Sequence, residues 1–157
     1  MKKIIIALAT GFGLGYSPVA SGTAGTVLGV GIVVLLSPLS LTVQAVVAVA
    51  LAVVAIPICS VAENHFKKKD DGRIVADEYL TFPLCVWALP WAEHLWLLGV
   101  AFVVNRIMDI VKPPPARQAQ SMIGGLGIVL DDVLACLYAL AANHAIWQLY
   151  QLYASRF

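Results

Sequence analysis

The chain has 157 residues, 61% of them hydrophobic and 12% charged, with a formal net charge of +1. Its mean hydropathy of +0.87 goes with an apolar content well above the roughly 45–50% of a soluble domain, which points to an integral membrane protein. The sparse, balanced charge offers no basic stripe and excludes nucleic acid as a partner, and the length suits a single domain over residues 1–157.

In chain order, MKKIIIALAT imitates a signal peptide through Lys2, Lys3 and the Ala-x-Ala at Ala7 and Ala9, but its apolar part is shorter than the roughly 7–15 residues of such a leader. Residues 11–26, GFGLGYSPVASGTAGT, carry too many small residues for an ordinary helix interior and read as a loop or broken helix. Two apolar runs follow, residues 26–36 and 41–61, separated by Ser37-Pro38. The second matches the roughly 20 residues that span hydrocarbon, whereas the first must recruit neighbours. Residues 63–73, ENHFKKKDDGR, belong in water or among headgroups. The short runs 79–89 and 96–104, divided by Pro90 and Glu93-His94, suit a re-entrant hairpin as well as two crossings. Trp87, Trp91 and Trp96 cluster at that break as interfacial aromatics do. Residues 105–117, NRIMDIVKPPPAR, predict a helical turn or two stopped by prolines, and GGLGIVLDD opens a last apolar helix ending near Tyr153. The expected fold is therefore all-α: a compact helical membrane domain with short or re-entrant helices and a Gly-rich N-terminal loop.

Seven of the nine carboxylates lie in four clusters beside apolar runs: Asp70/Asp71, Asp77/Glu78, Asp109 and Asp131/Asp132. A carboxylate near hydrocarbon is costly unless paired, hydrated or bound to a metal. Hard oxygen donors without a Cys/His set favour Mg²⁺ over zinc. Arg106, Asp109 and Lys112, at i, i+3 and i+6, share a helix face; they form either a surface ion-pair ladder or a site in which Asp109 holds a metal and a cation meets a phosphate oxygen. Adjacent acids point about 100° apart on a helix, so only one of Asp77 and Glu78 is expected as a direct ligand. Ser21, Thr23 and Thr26 in SGTAGT suit an oxyanion cradle or a Gly-rich helix-packing surface. Cys59, Cys85 and Cys136 read as small buried hydrophobes. Lysines and arginines at residues 2–3, 67–73 and 106–117 can share the cytoplasmic side, although Arg156 falls opposite if the last helix crosses fully.

Four blocks in order, GFGLGYSPVASGTAGT, DDGRIVADE, RIMDIVKPPP and GGLGIVLDD, make residues 11–132 resemble the phosphatidylglycerophosphatase A family of bacterial membrane lipid phosphatases. The resemblance implies Mg²⁺-dependent hydrolysis of the phosphate monoester of phosphatidylglycerophosphate, with the active site on the cytoplasmic face of the inner membrane. It places the family's acids on Asp70, Asp77, Glu78, Asp109, Asp131 and Asp132, its cations on Arg106 and Lys112, and its hydroxyls on Ser17, Thr23 and Thr26. On this basis Asp77, Glu78, Asp109 and Asp131 are the expected metal ligands. Asp132 is the expected general base, with Arg106 and Lys112 as catalytic cations and Asp70 as an accessory acid. Ser17, Thr23, Gly25, Thr26 and Lys112 are expected to bind the substrate phosphate. The chain departs from the family at Ser21, Leu80-Thr81 and Cys136, and in RQAQSMI, which lacks an acid. The expected partners are the phospholipid substrate and the membrane, with homo-oligomerisation left open. The competing readings are a silent scaffold of the same fold and a small ion-conducting protein.

Overall fold

The computed structural model describes residues 2–156, and the described residues form helices without strands. The elements are α1 (Lys2–Ala9), a 3₁₀ segment (Gly11–Tyr16), α2 (Ser21–Leu36), α3 (Leu41–Phe66) and α4 (Ala76–Thr81). A second 3₁₀ segment (Phe82–Val86), α5 (Trp96–Val111), α6 (Ala116–Ala119) and α7 (Gly125–Ala154) complete the fold. The all-α expectation is met, and two element readings change. Residues 21–26 are the first turns of α2, and residues 105–111 continue α5 without a break.

The helical state of SGTAGT follows from what its glycines face. Gly22, Gly25 and Gly29 lie one and two turns apart on the side of α2 that meets α4. A Cβ on Gly25 would stand 2.7 Å from Val75 Cβ, and one on Gly29 would stand 2.6 Å from Phe82 Cβ. Small residues let these two backbones approach closely, and that approach stabilises a helix that propensity disfavours. The broken-helix reading holds further upstream, where Phe12 and Gly13 have φ of 56° and 104° and interrupt the 3₁₀ segment. Chain entry into α2 passes through Ala20, also left-handed at φ 50°.

Long helix α7 packs along α3 and α5, while α4 wedges between α2, α3 and α7. Ala48, Ala52, Ala55, Cys59 and Ala62 form the buried face of α3, a small-residue stripe of the kind that permits close packing in hydrocarbon. Pro57 sits inside α3 without ending it. Helix α3 begins with Ser40 Oγ accepting from Val43 N at 3.4 Å and ends on left-handed Lys67. Helix α1 is part of the packed fold: Val75 N donates to Ala9 O at 2.9 Å, and Tyr79 Oη to Leu8 O at 2.9 Å.

Helices α3 and α7 are long and apolar enough to cross a membrane, and only 28% of the most apolar stretch of α3 is buried. Its exposed Val43, Val46, Val49, Val53 and Val54 distinguish it from the core helix of a soluble protein and mark a lipid-facing surface. Neither α4 nor α5 reaches that length. The start of α4 lies beside the end of α5, where Glu78 meets Arg106, and the second 3₁₀ segment and α7 both pack against α5. The bundle thus has two unlike ends. At one, Trp96, Trp147, Tyr150 and His94 pack ring on ring, and Trp87 Nε1 donates to Leu41 O at 3.0 Å. The acids gather at the other.

Candidate active site

Three helix ends supply this site. Asp77 and Glu78 stand in the first turn of α4, Arg106 and Asp109 near the end of α5, and Asp131 and Asp132 in the second turn of α7. One chain of ion pairs links them. Arg106 Nη1 lies 2.8 Å from Glu78 Oε2 and 3.1 Å from Asp109 Oδ2, Lys112 Nζ is 3.7 Å from Asp109 Oδ1, and Lys112 also binds Asp131 Oδ2 directly. The Arg106–Asp109–Lys112 spacing is therefore not a surface ladder, because these side chains are mostly buried against α4 and α7. Thr26 joins the chain, its Oγ1 3.3 Å from Glu78 Oε2 and accepting from Arg106 Nη1 at 3.3 Å.

Helix geometry divides the two neighbouring acids of α4. Glu78 takes the ion pair with Arg106, whereas Asp77, 6% exposed, points into the bundle with Oδ1 unpartnered. Asp131 and Asp132 are 2% and 5% exposed and also carry unpartnered buried oxygens, Oδ1 and Oδ2. Asp132 lies close enough to Asp77 and Asp109 for their charges to act on it. Burial pushes the Asp77 carboxyl well above its ordinary range, with the charges of Glu78 and Asp70 adding to the effect. Burial likewise lifts Glu78 to about 7 against the opposing pull of Arg106. At Lys112, burial opposes the charge, but the bond to Asp131 and the surrounding acids outweigh it and hold the ammonium above its ordinary value.

The two backbone features that aim these groups were not legible in the sequence. Lys112 ends α5 in the left-handed region, at φ 46°, which turns its side chain back toward α7. Asp70, at φ 48°, accepts from Gln120 Nε2 at 2.5 Å. Neutral partners were equally silent. Thr81 Oγ1 donates to Asp77 O at 2.6 Å, and Asn105 Oδ1 accepts from Cys136 Sγ at 3.2 Å. Their one available signal was spacing, since Asn105 precedes Asp109, and Asp132 precedes Cys136, by four residues.

The expected phosphate loop is distributed differently. Thr26 is buried within the ion-pair chain, and Thr23 lies in the first turn of α2, where Ala24 N to Ala20 O is the first helical bond. Gly25 packs on Val75 inside the helix, so its amide belongs to the helical ladder. Ser17 donates to Val19 O at 2.8 Å and lines a separate cleft with Lys68, Asp71 and Arg73. The three cysteines are free and buried, as expected.

The donors present are hard oxygens. Among the described residues, however, no three Asp, Glu, His or Cys side chains are grouped closely enough to hold a metal by themselves. Mg²⁺ commonly uses one or two protein carboxylates and completes its octahedron with water and phosphate oxygens. The unpartnered oxygens of Asp77, Asp131 and Asp132 fit that sparse requirement. An apolar groove of about 330 Å³ runs between α3 and α7, lined by Ile56, Leu126, Val133 and Leu137.

The model of the phosphatidylglycerophosphatase A family matches residues 7–147. Phosphatidylglycerophosphatase A of Haemophilus influenzae is 36% identical, covering 95% of this chain and 96% of the relative. Escherichia coli phosphatidylglycerophosphatase A is 32% identical over 82% of this chain and 74% of its own. A Bacteroides thetaiotaomicron protein named "Putative phosphatidylinositol-3-phosphatase" is 34% identical over 85% and 87%. No solved structure matches the chain. With matched blocks that contain every acid of the buried ion-pair chain, the protein belongs to the phosphatidylglycerophosphatase A family.

Proposed function

We propose that the protein hydrolyses the phosphate monoester of phosphatidylglycerophosphate, releasing phosphatidylglycerol and inorganic phosphate with Mg²⁺ as cofactor. The observation that carries this reading is the meeting of unpartnered buried acid oxygens with two cations at one end of a lipid-facing bundle. The relatives' names support it. The third relative's name specifies a different headgroup, yet phosphatidylinositol 3-phosphate and phosphatidylglycerophosphate share a plan. Each carries a phosphate monoester on a headgroup that a phosphodiester joins to diacylglycerol.

In this reading Asp77 and Asp131 would hold the ion through their unpartnered oxygens, with water and phosphate oxygens completing its shell, while Glu78 fixes Arg106 and Asp109 fixes both Arg106 and Lys112. Bound there, Mg²⁺ supplies Lewis-acid charge neutralisation beside the phosphoryl group. Arg106, whose buried Nε is unpartnered, and Lys112 bind equatorial phosphate oxygens and offset the charge that develops on them. Asp132 accepts the proton of the attacking water as the P–O bond to the glycerol oxygen breaks, and that oxygen takes up the same proton from Asp132 to leave as the free hydroxyl of phosphatidylglycerol. Basic residues at this end, among them Lys67, Lys68, Lys69 and Arg117, support a topology in which α3 and α7 cross the bacterial inner membrane and this end lies on the cytoplasmic side.

The test is phosphate release from phosphatidylglycerophosphate by purified protein in detergent, with Mg²⁺ and then with EDTA, beside phosphatidic acid. Release is expected to require Mg²⁺ and to favour the first lipid. Asp109→Asn and Asp131→Asn should each lower kcat by at least about a hundredfold while eluting as folded protein. Full turnover in EDTA, or in both variants, would end this reading.

A further inference from the structure

Beside the acid centre lies a second polar cleft of about 350 Å³, lined by Lys69, Asp70, Arg117, Gln120 and Ser121. It forms where the turn after α3 faces the short α6. Lys69 Nζ donates to Ser121 O at 3.0 Å and Gln120 Nε2 to Asp70 Oδ2, which ties the two walls together. Arg117 is exposed and makes no ion pair among the described residues. The cleft thus presents two cations and one carboxylate, and that carboxylate already accepts from an amide.

Its position gives the charge a meaning. Asp70 lines the cleft and is also near enough to Asp77 and Asp131 for its charge to act on both. Arg117 follows Lys112 by five residues, across a proline turn closed by Ala116 N donating to Pro113 O at 2.9 Å. Directly after Ser121, Met122 and Ile123 are 41% and 95% exposed, which suits side chains immersed in lipid at the edge of the headgroups. A bilayer lipid carries its phosphodiester at that depth. The apolar groove between α3 and α7 then starts at Leu126 and Ile56 and reaches Leu137. Along α7 this is roughly 16 Å, about half the hydrocarbon thickness of a bilayer.

We propose that Lys69 and Arg117 bind the phosphodiester of the substrate while its monoester occupies the acid centre, with one acyl chain laid in the α3–α7 groove. This rests on the activity proposed above and deepens it: the two cations select lipids that carry both phosphates. Phosphatidic acid, whose one phosphate is the monoester, leaves Lys69 and Arg117 unmatched.

The experiment compares wild type with a Lys69→Ala/Arg117→Ala double variant in detergent, on phosphatidylglycerophosphate and on phosphatidic acid. The ratio of kcat/KM for the first lipid to that for the second should fall at least about tenfold, mainly through KM of the first. A Lys69→Arg/Arg117→Lys protein should keep most of the ratio. A merely structural role lowers both lipids together, so an unmoved ratio overturns the proposal. Native mass spectrometry adds a readout free of turnover, since phosphatidylglycerol carries the diester and no monoester. Wild type should retain it and the double variant should lose it; equal retention, or none by wild type, also overturns the proposal. A wild type that hydrolyses neither lipid yet retains phosphatidylglycerol through these two residues counts against the activity instead and leaves the diester site standing.

Discussion

Lys112 reconciles two opposing demands. Its backbone adopts a left-handed conformation that glycine prefers, at a cost of about 1–2 kcal/mol for other residues, while its ammonium must reach Asp109 and Asp131. Replacement by glycine and by methionine separates the two. Both variants should lose turnover, but Lys112→Gly should unfold later in a thermal scan than Lys112→Met by about 1 kcal/mol. The reverse order would mean that the turn is not strained. Asp71 shows a simpler balance: the hydrogen bond from Arg73 at 2.7 Å holds its carboxyl below the ordinary range. An acid with a lowered folded pKa adds stability above its unfolded pKa, and that stability disappears as pH falls through the folded value. The Tm gap between wild type and Asp71→Asn should therefore be open at neutral pH and close in acid. At this scale the carboxylates were legible because charge in an apolar chain needs an explanation. Gln120, Thr81 and Asn105 were not, because a neutral polar side chain carries no comparable penalty and its partner lies far away in sequence.

Helix α2 shows why composition misled at residues 21–26. Glycine content argues for a loop when only the local chain is considered, but the three glycines lie on one face, and α4 fills the space their missing side chains leave. Whether a segment is helical was decided by a neighbour some fifty residues later in the sequence. Two substitutions on that face should behave differently. Gly29→Ala drives a Cβ to 2.6 Å from Phe82 Cβ, where nothing can swing aside, so it should cost about 1–3 kcal/mol of stability. Gly22→Ala meets only the carboxylate end of Glu78, which can move. Its Tm should hardly change, while kcat falls roughly tenfold to a hundredfold as Arg106 loses its anchor. Comparable activity in both variants would remove Glu78 from the positioning of Arg106.

The molecule as a whole is polarised: the clustered acids and their paired cations lie at one pole and the stacked aromatics at the other. The lipid-spanning length of α3 and α7 was plain from apolar run length. The meeting of α4 with the end of α5 was not, because the partners Glu78 and Arg106 lie 28 residues apart and nothing local pairs them. The topology proposed here makes a labelling prediction. The native cysteines are buried, so a membrane-impermeant maleimide should react with Lys68→Cys only in inverted vesicles and with Glu93→Cys only in spheroplasts. Labelling of both from one side would abolish the two-crossing arrangement. The aromatic pole has an optical consequence. All four tryptophans, Trp87, Trp91, Trp96 and Trp147, lie away from the acids, with Trp147 roughly 24 Å along α7 from Asp131. In the proposed topology, intrinsic emission from this protein is therefore a gauge of burial at the far leaflet, open to quenching by brominated chains there and blind to events at the phosphate.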